Sequence, residues 1–289
     1  MIILKDDYSE KVRYDYPDYP IYIRKDILSA FPNYAAPSHW HDDFEFVTIL
    51  SGQMQYQVNG EIVTLNQGEG IFINSRQMHF GFSDTQTECE FICVLLHPQL
   101  ICTTPAYERD FVLPLVNHSE LPFLHLRADI PWQNAVCRQI RNIFAVKNSP
   151  SAQLKIQIFL LTIWTFLYEN VPPSKKARPR NNDLMTTKNM VGFIQKNYMN
   201  KVSLSDIAAS GLVGQSKCCK LFSKYLGRTP NMYLNQYRLN KSMGLLKNTD
   251  KTITEIANEV GFGGGSYYAE IFRKWVGLSP TEYRKHSAE

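Results

Sequence analysis

Two histidines and a glutamate stand at a spacing suited to binding a metal ion or a polar small molecule. The stretch reads His39-Trp40-His41-Asp42-Asp43-Phe44-Glu45, with Gly52 seven residues further on. On a β-strand, positions 39, 41, 43 and 45 point the same way. His79, after a turn near Ser75 to Gln77, can join them from a neighbouring strand. Neutral imidazoles and a carboxylate facing one interior suit zinc, iron, nickel or manganese. The same four groups also suit hydrogen bonds to a polar ligand, or serve as structural histidines closing a core. Arg24 completes the candidate effector-binding set of Arg24, His39, His41, Glu45 and His79. No cofactor is required by any motif, and a divalent metal on His39, His41, Glu45 and His79 is the one candidate.

Short β-type runs must position these residues. Phe44 to Leu50, Met54 to Val58, Glu61 to Leu65 and Ile71 to Asn74 are separated by Ser51-Gly52, Asn59-Gly60 and Gln67-Gly68. Asn-Gly between alternating runs is a strong hairpin signal. Further strands are expected at Tyr19 to Arg24, Phe80 to Ser83 and Glu88 to Leu96. Seven or eight short strands at such intervals predict a barrel or sandwich.

Strand signals fade after Pro98, and from Pro131 the period becomes helical, with Trp132, Val136, Ile140, Ile143 and Phe144 on one face. A second helix, Ser151 to Tyr168, is apolar on most sides. Such a helix is either buried within its domain or half-buried with a homodimer contact on its other side. Residues 172–182 hold three prolines and four positive charges with a single Ala as their only apolar side chain, the composition of a tether. The expected domains are therefore 1–170, a linker at 171–182, and 183–289.

The last region contains one unit written twice. Ile207-Ala208, Phe222, Gly227, Pro230 and Tyr233 return as Ile256-Ala257, Phe272, Gly277, Pro280 and Tyr283, offset by 49 residues at the start and 50 from the Phe onward. Each copy reads as short helix, Gly-containing turn, helix, the pattern whose second helix enters a DNA major groove. In the first copy Ile207, Ala208, Cys218, Leu221 and Phe222 are expected inside, which leaves Gln215, Ser216, Lys217, Cys219, Lys220 and Lys224 outward. Between the copies, Asn231 to Leu246 predicts a strut of about 24 Å. With the bodies of the units, that length can supply the roughly 34 Å between successive major grooves.

Charge and cysteine usage agree. The net charge is +4, yet residues 183–289 carry 15 Lys and Arg against 8 Asp and Glu, residues 171–182 add four positives, and residues 1–170 hold the balance of −7. A basic end on an acidic remainder predicts that one end alone meets a polyanion. Six cysteines without a C-x-x-C pair read as reduced, small apolar residues in a cytoplasmic protein. No signal peptide or membrane span is expected; the apolar-rich run from Ile156 to Tyr168 is too short.

Ile256-Ala257, Gly261-Phe262, Ser266-Tyr267-Tyr268, Phe272, Gly277-Leu278-Ser279-Pro280 and Tyr283-Arg284 resemble the signature of the AraC/XylS family of bacterial transcription regulators. The likeness covers about 100 C-terminal residues and includes Arg238-Leu239 and Leu245-Leu246 in the strut. The His39 stretch is similar to the first cupin motif, and Gly60 to His79 to the second, with Asn66 where a Pro is common. These resemblances imply a multidomain α+β protein: an N-terminal cupin-like β-barrel with flanking helices, then an all-α domain with two helix-turn-helix units. They imply double-stranded DNA as partner, a small-molecule effector, by family a sugar, and a homodimer. RNA polymerase is a further possible partner, and no membrane is.

The DNA-contact candidates are Gln215, Ser216, Lys217, Lys220, Lys224, Ser266, Tyr267 and Glu270. Gly214 replaces the common Ser cap, Gly263-Gly264-Gly265 opens the second reader, and Glu270 stands where the first copy has Lys220. The first unit is therefore expected to dominate affinity. Two contrasting readings are a metal-dependent cupin enzyme, dioxygenase or isomerase, fused to a DNA-binding domain, and a DNA alkyl-transfer protein with the same tail. The second needs a reactive cysteine, and Cys218 and Cys219 lie inside the recognition unit.

Overall fold

The computed structural model describes residues 9–16, 18–174 and 182–286. These fall into two compact units, one up to residue 174 and one from residue 182. The basic run Lys175 to Asn181 of the expected linker lies outside the described residues, as do residues 1–8.

The first unit is an antiparallel sheet domain of seven strands: β1 (Ile21–Ile27), β2 (Phe44–Val58), β3 (Glu61–Asn66), β4 (Gly70–Ile73), β5 (His79–Phe82), β6 (Cys89–Leu96) and β7 (Phe123–Leu126). The order β1-β6-β2-β4-β7 forms one sheet, while β3 and β5 pair with the far half of β2. The turn signals at 51–52 predict two strands where the structure has one. The register shifts between Ile49 and Ser51, and the long strand bends from one layer into the other. Gly52 makes this possible at φ +75, and a Cβ there would stand 2.2 Å from the Glu88 carbonyl oxygen. Asn59 (φ 51) and Gly60 (φ 91) form the expected tight turn from β2 to β3. Strand β7 carries no sequence signal: its four residues Phe-Leu-His-Leu are too few to show a period.

Alternation along β2 sorts its side chains. Phe44 and Phe46 face a core shared with two helices, α1 (Pro131–Val146) and α2 (Ala152–Asn170). Val47 and Ile49 belong to the second core with Met54, Tyr56, Leu65, Ile71 and Ile73. In α2, Ile156, Leu160, Ile163, Trp164 and Leu167 are buried, whereas Leu154 (73 % exposed) and Ile158 (63 %) stay in water.

The second unit comprises α3 (Asn182–Asn197), α4 (Leu204–Ser210), α5 (Gln215–Leu226), α6 (Pro230–Asn248), α7 (Ile253–Glu259), α8 (Gly265–Val276) and α9 (Pro280–His286). The first helix of each repeat starts on a capping box, Ser203 with Asp206 and Thr252 with Glu255. Helix α6 is the expected strut. Its Arg238 crosses to the end of α3, donating to the carbonyls of Tyr198 at 2.8 Å and Asn200 at 2.9 Å.

Candidate functional site

In the sheet unit, His39, His41, Glu45 and His79 come together, all buried, with their ligand atoms within 4.8 Å of one another. His39 and His79 form an isolated antiparallel bridge, each backbone N–H donating to the other's carbonyl. His41 comes in from the irregular backbone just before a bend at residues 42–43, not from a strand. Strand β2 begins only at Phe44, and the backbone at 41–42 is held by the Arg76 N–H on the His41 carbonyl and the Ser75 hydroxyl on the Asp42 carbonyl. The expectation that position 43 shares the inward face is corrected for that reason: the Asp43 carboxylate accepts instead from the Tyr14 hydroxyl at 2.9 Å.

Each imidazole is oriented by the backbone. Nδ1 of His39 lies 2.8 Å from the Pro37 carbonyl, Nδ1 of His41 3.0 Å from that of Asp43, and Nδ1 of His79 3.0 Å from that of Gln77. A carbonyl only accepts, so the Nδ1 of each ring carries the hydrogen and Nε2 faces the cluster. Glu45 Oε2 sits 3.1 Å from Nε2 of His41 and 2.8 Å from Nε2 of His79, and its Oε1 accepts from the Tyr56 hydroxyl.

The electrostatics are those of a buried cation and anion set. Burial and the two neighbouring imidazoles push His39 down to about 3. Burial acts to lower His41 as well, but the hydrogen bond and charge of Glu45 outweigh it and raise it. Glu45 is held well below the usual carboxylate range: burial opposes this, and His79 and His41 override it. The donor set therefore fits a divalent transition metal, with three imidazole nitrogens and one carboxylate and a hydrogen bond behind every ligand.

A cavity adjoins the cluster, lined by His39, Glu45, Tyr22, Phe31, Tyr56 and Phe91 among others, with no Lys or Arg among the described residues of its wall. It offers about 60 Å³ of room for water, enough for a handful of molecules. Glu10 closes one side. Its backbone N–H donates to the Trp40 carbonyl at 2.8 Å, its carboxylate lies 3.6 Å from Nε2 of His39, and burial raises it to about 7. No sequence signal marks Glu10 or Tyr56. Glu10 lies in an aperiodic arm, and Tyr56 reaches Glu45 across the bend of β2 at its register shift. Arg24 is not brought to the cavity wall; its guanidinium pairs with Asp15 and lies 4.6 Å from the Tyr22 ring centroid.

From the cluster a chain of hydrogen bonds runs to the start of the linker. Gln77, which holds His79, donates to the Ser75 carbonyl, and the Ser75 N–H donates to the Asn74 side chain. Asn74 Nδ2 donates to the carbonyls of Leu115 at 2.8 Å and Leu121 at 3.0 Å. The loop so held carries His118, whose Nε2 donates to the Pro172 carbonyl at 2.8 Å, and Ser119, whose hydroxyl is 3.0 Å from that of Ser174.

In the helical unit, Gln215, Ser216, Lys217, Lys220 and Lys224 lie exposed on α5, and Ser266, Tyr267 and Glu270 exposed on α8. The expected inner face, Ile207, Ala208, Cys218, Leu221 and Phe222, is buried. Lys217 Nζ pairs with Asp183 at 3.0 Å, and the Tyr267 hydroxyl accepts from Asn235 Nδ2 at 3.2 Å. Neither α5 nor α8 has a side-chain cap: Gly214 and Gly264 stand at their N-termini with open space around them. Backbone N–H groups at such an end suit a phosphate. Arg273 and Lys274, in the last turn of α8, are exposed cations that the sequence pattern does not single out as contacts.

A sheet domain with a ligand-sized cluster, followed by paired helix-turn-helix units, defines a DNA-binding regulator with a ligand-binding domain. The comparisons agree: residues 27–163 match the AraC-like ligand binding domain, and residues 207–286 match a helix-turn-helix domain. The chain belongs to the AraC/XylS family of transcription regulators. It is 27 % identical over 285 residues to the uncharacterised HTH-type transcriptional regulator YdeC of Bacillus subtilis, covering 98 % of each chain. It is 26 % identical over 286 residues to the Melibiose operon regulatory protein of Escherichia coli K12, covering 94 % of this chain and 91 % of that one. Among solved structures, an apo form of ToxT from Vibrio cholerae matches with a TM-score of 0.46 and 12 % identity over 94 % of this chain and 99 % of that chain. No helix among the described residues is long and apolar enough to cross a membrane.

Proposed function

We propose that the protein regulates transcription in the cytoplasm in response to a small neutral carbohydrate, bound in the sheet domain beside His39, His41, Glu45 and His79. The observation that carries this reading is the hydrogen-bonded route from His79 through Asn74 and His118 to Pro172. Occupancy of the cavity displaces Glu10 and its arm, because about 60 Å³ leaves no space for a sugar ring beside them. A ligand acts only through the difference in its affinity for two states, and here the states differ in whether arm and linker are held. The sugar assignment is supported by likeness to the Melibiose operon regulatory protein. It is supported also by the wall itself, whose aromatic rings and carboxylates suit a polyol.

Domain 1–170 is the sensor, 171–182 the linker and 183–289 the reader, with Gln215, Ser216, Lys217, Lys220, Lys224, Ser266, Tyr267 and Glu270 as its DNA contacts. A second copy of the chain docks on the α2 face that carries Leu154 and Ile158, and RNA polymerase is met by the DNA-bound dimer. The sheet domain senses and does not turn over substrate, a reading supported by likeness to proteins named as regulators.

The test is selection of bound sites from random DNA, repeated with a panel of sugars that includes melibiose. One sugar changes operator affinity, and His118→Ala abolishes that change while leaving sugar binding intact. If no sugar alters binding to any selected site, sensing by this domain is wrong. If His118→Ala responds like the parent, the route to the linker is wrong.

A further inference from the structure

A strut between two readers sets their distance, but their rotational phase depends on whatever else ties them together. Successive major grooves demand both, because displacing one half-site by a single base pair moves it about 3.4 Å along the duplex and turns it roughly 35° about the axis. In the helical unit the second tie is helix α3. It packs against α4 and α5 of the first repeat. There the turn before α5 lies so close that a Cβ on Gly211 would stand 2.6 Å from Met190 Cγ, and Asp183 in the first turn of α3 pairs with Lys217 of α5 at 3.0 Å.

The chain just beyond the other end of α3 belongs to the second repeat. Tyr198 packs against the core that holds Leu239, Ile256, Phe262 and Phe272. In the turn before α8, a Cβ on Gly261 would stand 2.2 Å from the Tyr198 carbonyl oxygen and 2.9 Å from that of Met199. Only a residue without a side chain, at φ +86, lets the second turn lie against this backbone.

Arg238 clasps the junction. It stands in the middle of α6 and is buried to 8 % exposure. Its Nε donates to the Tyr198 carbonyl at 2.8 Å and its Nη2 to that of Asn200 at 2.9 Å, while the guanidinium carbon lies 5.7 Å from the Phe262 ring centroid. Burial pushes the guanidinium down from its usual range, and among the described residues its hydrogen bonds go to carbonyls and not to a carboxylate. A buried charge is a costly route to stability, whereas the planar fork fixes the direction of two acceptors at once.

We propose that Arg238 is the positioning residue for paired DNA reading. By clasping the end of α3 to α6 beside Gly261, it holds α8 in phase with α5 and so sets the one half-site spacing the chain accepts. This rests on α5 and α8 being the DNA readers, as proposed above. Arg238 acts through the Gly261 turn and not by touching a base. With the clasp in place the second reader docks as an intramolecular event, at high effective concentration over its own groove and at low effective concentration over a displaced one.

The full-length chain is titrated on three duplexes: a site selected from random DNA, the same site with one base pair inserted between its halves, and its tighter-binding half alone. Wild type is expected to bind the selected site about ten-fold more tightly than the inserted one. Arg238→Met, which keeps a long stem and loses the fork, binds the half-site like wild type and holds the two full sites within about three-fold of each other. Arg238→Lys keeps stem and charge, reaches one carbonyl, and falls between. Gly261→Ala, which forces the turn off the Tyr198 carbonyl and leaves Arg238 in place, behaves as Arg238→Met does. A merely structural role lowers affinity for all three duplexes alike, and that result overturns the proposal. So does any of these variants that melts like wild type and keeps the full discrimination, and so does wild type that binds the selected site and ignores the insertion. Wild type that binds no selected DNA overturns the assignment of α5 and α8 as readers, and the positioning role falls with it.

Discussion

The two helix-turn-helix units are alike in their scaffolds and unlike on their reading faces. Both open on a capping box, both end the second helix on a left-handed Gly, Gly227 and Gly277, and both bury the matching Phe222 and Phe272. Outside, α5 presents Lys217, Lys220 and Lys224, whereas α8 presents Ser266, Tyr267 and Glu270 and keeps its cations for its last turn. Inside, the second unit adds a polar contact: the buried Tyr268 hydroxyl donates to Ser242 Oγ at 2.9 Å, where the first unit has Cys218. Duplication thus preserved what the fold requires and let the surface diverge, where the proposed DNA contacts lie.

The largest test of that division removes one core at a time. Phe222→Ala and Phe272→Ala should each cost about 3–5 kcal/mol of their own unit's stability, since a buried aromatic leaves both lost contacts and a cavity. Thermal melts should therefore look similar. Operator binding should not: Phe222→Ala is expected to abolish it, and Phe272→Ala to leave a weakened complex. Equal losses would show that the second unit is a full partner.

A smaller effect is expected from the surface. Lys217→Ala with Lys220→Ala should weaken binding on the order of ten- to a hundred-fold across all sequences and lower the salt slope by about two. Tyr267→Ala should weaken it several-fold less and change preference at one position. The Lys217 to Asp183 pair does not alter this expectation, because half-exposed partners contribute little and phosphate competes for the same ammonium. A salt titration of the three proteins decides it, and a larger loss from Tyr267→Ala would reverse the assigned order.

What was legible in the sequence follows from the same division. The repeat shows itself because Ile207 and Ile256, or Phe222 and Phe272, occupy positions where packing admits few residue types. Turn chemistry was equally readable at Asn59-Gly60. Ser51-Gly52 misled, since a positive-φ glycine serves a bulge as well as it serves a turn. At the cluster the four side-chain types and their spacing were visible, but Tyr56 and Glu10 were not. Glu10 reaches the site from a distant arm and Tyr56 across the bend of its own strand, and no local period marks either contact. Residues 98–130 fold into short turns, a helical stretch over 105–116 and β7, pieces held by distant contacts such as Asn74 on the Leu115 and Leu121 carbonyls.

The smallest predicted effect lies in the turn just before the repeat falls out of step. In the second copy Gly261 follows the first helix at φ +86, and a Cβ there would meet the Tyr198 carbonyl oxygen at 2.2 Å. Its counterpart in the first copy is Leu212, at φ 55 and 95 % exposed. One copy meets the left-handed demand of the turn with glycine, and the other carries a branched apolar side chain there with nothing to bury it. For an L-residue that conformation costs roughly 1–2 kcal/mol, and glycine returns about 0.5–1 kcal/mol of that as chain entropy. Leu212→Gly should therefore stabilise the first unit by up to about 1 kcal/mol, raising its melting temperature by several degrees. If instead it destabilises the unit, Leu212 is held by a contact, and the first turn is as constrained as the second. Operator affinity measured on the same variant then separates the two roles a strained, exposed leucine can have. Unchanged binding leaves the strain at Leu212 as tolerated. Weaker binding despite a higher melting temperature places Leu212 against the DNA or another protein.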